Sequence, residues 1–367
     1  MSFDERVAPA LVLAAEHAAE VDREGRFPEE AVGALRDAGM LGLTLPTTVG
    51  GLGGTPADFL AVARAIASRC ASTSMIFLMH VCAAQVTLAG RADDVDELRA
   101  MADGSNLSTL AFSERGSRSH FWAPVSQLAG SRLSAQKSFV TSAGHADSYV
   151  VATRSADAAS PTDSSLYLVP ASTPGIDISG PWLGLGLRGN ASAPMAFDVD
   201  VSEEMLLGEA GKGFDLMLGV VLPWFQLGSG AVSVGIAEGA MGAAVAHVTS
   251  AKLEHLGQTL ADLPTVRARI GRAQTEVDTV AGFLADVARR MGEADPTAPI
   301  LSAKASANEM AIRVTSEAMQ ACGGAAMSPT LPIERSFRDA RAGSVMAPTT
   351  DVLYELTGRA LAGMPLM

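Results

Sequence analysis

The chain has 367 residues, 48% of them hydrophobic, enough material for a large core that needs no disulfide staples. A formal net charge of -13 excludes a nucleic-acid binder, whose affinity rests on Lys and Arg neutralising phosphates. Its three cysteines, Cys70, Cys82 and Cys322, have no CxxC spacing, which argues against a metal site and points to a reducing, cytoplasmic compartment.

The opening stretch, MSFDERVAPALVLAAEHAAEVDREG, carries acids in its first turn and reads as an amphipathic helix, not a signal peptide. Helical spacing continues to about Ser105, as in Phe27, Val32, Leu35 and Met40. A Gly-rich turn from Pro46 precedes a helix whose start is marked by Thr55 as N-cap and Pro56 at the first helical position.

Two stretches without formal charge, Cys70 to Gly90 and Leu216 to Ala237, have about the length of a bilayer span. The first holds Ser72, Thr73, Ser74, His80 and Gln85, and the second Pro223, Gln226 and four glycines. Both are expected as helices buried in a bundle, with no membrane partner.

Near Thr109 the texture changes. SYVVATRS, SSLYLVPAS, GIDIS and PMAFDVDV are rich in β-branched and aromatic residues between Asp, Ser, Pro and Gly clusters, which reads as antiparallel strands and turns. From Ser202 the strand signal ends and long helical patterns follow. The expected architecture is α+β: an N-terminal helical domain (1–108), a middle antiparallel β-domain (109–203) and a C-terminal helical bundle (204–367).

Over nearly its whole length the chain resembles the acyl-CoA dehydrogenase family, motif by motif and in the same order. Pro46 to Gly53 is similar to the family's Pro-x-x-x-Gly-Gly-x-Gly turn. LAFSERGSRS stands in place of Thr-Glu-Pro-Gly-x-Gly-Ser, with Ser113, Glu114, Gly116 and Ser119 in register, and SFVTSAG is similar to the Trp-x-Thr-Asn strand. Near the C-terminus, Gln320, Gly323, Gly324, Pro332, Glu334, Arg335, Arg338, Asp339 and Arg341 match Gln-x-x-Gly-Gly-x-Gly, Pro-x-Glu-Arg and Arg-Asp-Ala-Arg.

The resemblance implies a C-terminal four-helix bundle and FAD, with Leu110, Phe112, Ser113, Ser119, Phe139, Thr141, Gln320, Gly323, Gly324 and Thr349 contributing to its site. Phe139 then takes the part of the tryptophan behind the flavin ring, and Thr141 that of a hydroxyl near the atom that receives hydride. It further implies an acyl thioester of CoA or of a carrier protein as substrate. A homodimer or homotetramer is implied too, or a mixed oligomer with a homologue.

The chain also departs from the family. Ala347 occupies the usual position of the glutamate base, and alanine cannot remove an α-proton. The earlier helix, where some members carry that glutamate, offers Phe225 and Gln226. Asp351 is the nearest replacement: with a helix starting at Pro348, it lies about one turn beyond Ala347 and can face the same way. The family's flavin-anchoring arginine is replaced by Leu253, with Lys252 beside it. Three readings stay open: a flavoenzyme with a displaced base or a reaction that needs none, a flavin-dependent oxygenase or oxidase, and a non-catalytic subunit of an active homologue.

Overall fold

The computed structural model describes residues 2–117, 120–291 and 296–366. The first unit consists of helices α1 (Phe3–Glu24), α2 (Glu29–Asp37), α3 (Pro56–Ala67), α4 (Ala71–Gly90) and α5 (Val95–Asp103). A capping box closes the start of α1: the Ser2 hydroxyl accepts from the Glu5 amide, and the Glu5 carboxylate accepts from the Ser2 amide. Val7, Ala10, Ala14, Ala18 and Val21 then recur on its buried face. Helix α3 begins where the sequence expects, with Thr55 and Asp58 completing a second box ahead of Pro56. The glycine turn before it is a steric necessity, since a Cβ on Gly51 would lie 2.2 Å from the Leu45 carbonyl oxygen.

The β unit holds β1 (Ser108–Ala111), β2 (Arg132–Val140), β3 (Ser148–Arg154), β4 (Ser164–Pro170), β5 (Ile176–Ile178), β6 (Ala193–Asp200) and β7 (Leu206–Leu207). They form two sheets, ordered β1-β3-β4-β7 and β2-β6-β5. One expectation is corrected here: β1 and β3 pair in parallel, because the chain crosses to β2 in the other sheet before returning beside β1. The unit also extends past its expected edge at 203, because Leu206 and Leu207 hydrogen-bond to β4.

The first sheet is buried on both faces. Tyr149, Val151, Tyr167 and Val169 pack with Leu133, Phe197 and Val199 between the sheets. Val150, Ala152, Leu166 and Leu168 join the helical core that contains Phe77, Leu78 and Val81 of α4. This explains why β3 and β4 read as unbroken apolar runs while β2 alternates.

In the last unit α6 (Gly213–Leu216) passes through a π-helical turn, Met217–Val221, into α7 (Leu222–Ser250). A short hairpin, β8 (Lys252–Leu253) and β9 (Gln258–Thr259), leads to α8 (Pro264–Arg290) and α9 (Thr297–Cys322). The shorter α10 (Ile333–Val345) and α11 (Thr350–Leu361) pack against α9. Both uncharged helices lie inside the fold: 83% of the most apolar window of α4 is buried, and 72% of that in the run ending with α7. The α7 glycines permit close approach, since a Cβ on Gly235 would meet the Arg64 carbonyl oxygen of α3 at 2.3 Å.

Candidate active site

The three units meet around a cavity of about 940 Å³, a size suited to a cofactor or small-molecule ligand. Met75 and Met79 of α4, Phe112, Phe121, Val221 and Phe225 give it apolar walls. Phe112 and Phe121 are stacked with ring centres 6.2 Å apart.

One wall is built by a break in β2. The pairing with β6 shifts register between Lys137 and Val140, and Phe139 at the break has a left-handed backbone, φ 56°. Such strain in a non-glycine residue persists only where surrounding contacts enforce it, and it gathers at functional sites. Here it turns the Phe139 ring out into the cavity, 67% exposed, edge-on to Trp182 at 6.2 Å.

The same cavity is lined by buried polar groups. The Thr141 and Ser192 hydroxyls are 3.0 Å apart. Asn190 is 3% exposed and lines the cavity, yet its side-chain oxygen has no hydrogen-bond partner among the described residues.

The floor rests on an ion pair. Glu114 faces the cavity and is bound by the ammonium of Lys137, whose side chain is 0% exposed. The carboxylate also accepts from the amides of Val125 at 2.7 Å and Ser126 at 2.8 Å, and from the Ser126 hydroxyl at 2.6 Å. Burial pushes Glu114 up, but the Lys137 charge and these donors outweigh it and hold the carboxyl below its ordinary value. Among the described residues lining the cavity Glu114 is the one carboxylate, and it is fully engaged.

The charged run Glu334 to Arg341 is no solvated face. Arg338 donates to Asp22 of α1, to Glu334 and to the Leu185 carbonyl, and buried Asp339 accepts from the Leu187 amide at 2.7 Å. Together they fix the loop bearing Trp182 and Asn190 against α10. Burial is the main influence on Asp339 and pushes its carboxyl up to about 6. Arg341, also on the cavity wall, donates to Thr315 and Ser316 and covers the Phe337 ring at 3.5 Å.

Of the residues expected at a site, the cavity brings together Leu110, Phe112, Ser113, Phe139 and Thr141, with Ala347 on the opposite wall. It does not include Thr349, the half-buried N-cap of α11, or Gln320, Gly323 and Gly324, exposed at the C-terminal end of α9. Ser119 lies outside the described residues. Asp351 is exposed and apart from the cavity: α10 ends at Val345 and α11 starts at Thr350, so no continuous helix carries Ala347 and Asp351 on one face. Sequence reasoning missed Asn190, Ser192 and Trp182, whose only signal was a Gly-rich loop, PWLGLGLRGN.

A β unit held between two helical units, with an apolar cavity at their junction walled by an aromatic ring and paired hydroxyls, defines a three-unit α+β class of protein. Models of the acyl-CoA dehydrogenase N-terminal, middle and C-terminal domains match residues 8–104, 109–199 and 211–362. The chain belongs to the acyl-CoA dehydrogenase family.

It is 28% identical over 357 residues to the cyclohex-1-ene-1-carbonyl-CoA dehydrogenase of Syntrophus aciditrophicus, covering 95% of this chain and 86% of that protein. Butyryl-CoA dehydrogenase from Megasphaera elsdenii has a similar structure, with TM-score 0.89, 23% identity and 98% of each chain covered. FMN-bound TdsC from Paenibacillus shares the fold at TM-score 0.88 and 24% identity, covering 99% of this chain and 98% of that one.

Proposed function

We propose that this chain is an FAD-dependent oxidoreductase that acts on an acyl thioester, carried by CoA or a carrier protein, without a carboxylate base at position 347. The observation that carries the reading is the Phe139 ring turned out of its strand into the cavity, which the paired Thr141 and Ser192 hydroxyls also line. These residues fit a flavin, a flat polar-edged ring that needs an aromatic face and a few fixed donors and acceptors. Phe139 and Trp182 would pack on the ring, Thr141, Ser192 and Asn190 would orient its polar edge, and Leu110, Phe112 and Ser113 would line the adjoining wall. Bound there, FAD supplies an acceptor for two electrons.

Met75, Met79, Phe225 and Met346 exclude water from the opposite side, where the acyl group would lie. Gln320, Gly323 and Gly324 face outward, and with Leu185 and Val345 exposed at the cavity they support a homo-oligomer in which a second copy completes the cofactor site. The test is anaerobic addition of butyryl-CoA to the FAD-loaded protein. A perturbed flavin band is expected, and an unchanged band with every thioester tried sinks the thioester reading.

A second reading is favoured by one observation: Glu114 is the single carboxylate among the described lining residues, and it is bound to Lys137. A cavity without a free carboxylate suits a flavin-dependent oxygenase or oxidase, in which no α-proton is abstracted. Oxygen consumption driven by an external flavin reductase separates the two.

A further inference from the structure

Lys304 of α9 has no exposed surface, and among the described residues no carboxylate pairs with it. Its ammonium donates to the carbonyls of Met346 at 2.9 Å and Pro348 at 2.8 Å. It also lies 5.2 Å from the ring centre of Phe225. Phe225, Met346 and Ala347 all face the cavity, so this one amine sits directly behind the wall that joins them.

That wall has little support of its own. It lies in the break between α10 and α11, and proline at 348 has no N–H to give. One turn further along α9, buried Asn308 accepts from Ser233 of α7 at 2.9 Å and donates to the Gly343 carbonyl at 2.9 Å. Lys304 and Asn308, four residues apart on the same helix face, thus reach three carbonyls of the chain from Gly343 to Pro348. A charged group is costly to bury without a partner, and two carbonyls can be satisfied from one donor only if the segment is held in register with it.

We propose that Lys304 is a positioning residue: it clamps the Met346–Pro348 segment and so sets how far the cavity extends at Ala347, where the acyl group is read. The link to the acyl group rests on the function proposed above, whereas the clamp itself does not.

Two variants of the full chain, Lys304→Met and Lys304→Gln, test it. Met removes the donors, while Gln keeps an amide able to donate. The first readout, amide hydrogen exchange, needs no flavin. Lys304→Met should speed exchange in peptides spanning 342–352 by about tenfold or more with α7 unchanged, and Lys304→Gln should restore most of the protection. The second is the dissociation constant for butyryl-CoA on the FAD-loaded protein, expected to weaken about tenfold in the Met variant and to stay within about threefold in the Gln variant.

Wild-type exchange in Lys304→Met overturns the clamp, as does equal loss in both variants. If Lys304→Met yields no folded protein, Lys304→Gln decides alone, and loss of protection confined to 342–352 overturns donation as the cause. A wild-type chain that binds neither FAD nor butyryl-CoA sinks the functional reading and leaves the exchange measurement standing.

Discussion

Replacing Lys137 by Met breaks the ion pair beneath the cavity while keeping the length of the apolar stem. The Lys137 side chain is 0% exposed and that of Glu114 4%, so water cannot replace the lost partner. Removing one member of a buried pair costs about 3–5 kcal/mol. The Val125 and Ser126 donors remain on the carboxylate and place this case near the lower bound, about 3 kcal/mol.

The pH dependence has a definite sign. In the wild type Glu114 is held below its unfolded value of 4.5, so its contribution is present above that pH and lost as pH falls through the lower folded value. In Lys137→Met the isolated carboxyl rises, and the deficit against wild type should be larger at pH 8 than at pH 5. Urea unfolding followed by near-ultraviolet circular dichroism reads this. With a slope of about 1–3 kcal/mol per molar urea, the pH 8 midpoint should fall by about 1 M or more. Adding Glu114→Gln to Lys137→Met should recover part of the loss, because the uncompensated charge is then gone. A pH 8 midpoint within about 0.3 M of wild type would refute the argument that this pair is dry and coupled.

Other outcomes follow from the same reasoning. Burial lowers Lys304 from 10.5 to about 7, so the unfolded chain binds more protons between those values and stability should gain up to about 5 kcal/mol as pH rises through that window. Lys304→Met should flatten that rise, and an unflattened curve counts against the depressed value. Asp339, raised from 3.8 to about 6, stabilises the protein at acid pH, and that contribution fades as pH climbs through its folded value. Asp339→Asn should flatten the fall by up to about 3 kcal/mol in thermal-melt series, because Asn keeps an acceptor for Leu187 without titrating. Thr141→Val should weaken FAD binding about tenfold, measured by fluorescence quenching, through loss of one buried hydroxyl; unchanged affinity would remove Thr141 from the site.

Local physics made much of the fold legible. Thr55, Asp58 and Pro56 announce the start of α3 because capping depends only on neighbours in sequence. The polar residues and glycines of α4 and α7 distinguish buried helices from membrane spans for the same reason: each must be satisfied or closely packed inside protein. The parallel pairing of β1 and β3 was hidden, since the period of a strand says nothing about its partner.

The resemblance pointed to Phe139 and Thr141, which line the cavity, but the left-handed backbone that turns Phe139 into it accompanies the register shift against β6. Lys304 looks in sequence like any lysine in an Ala-rich helix, and only tertiary packing makes it a carbonyl clamp. The expectation for Asp351 required a helix starting at Pro348, but α11 starts at Thr350, leaves Ala347 outside it and exposes Asp351.

The most direct measurement is the visible absorption spectrum of the purified chain after incubation with excess FAD and removal of the unbound fraction. A retained flavin spectrum at one equivalent per chain is expected, perturbed by butyryl-CoA and weakened in Thr141→Val. A chain that emerges colourless, with wild-type folding intact, would contradict the claim that the cavity beneath Phe139 is a flavin site.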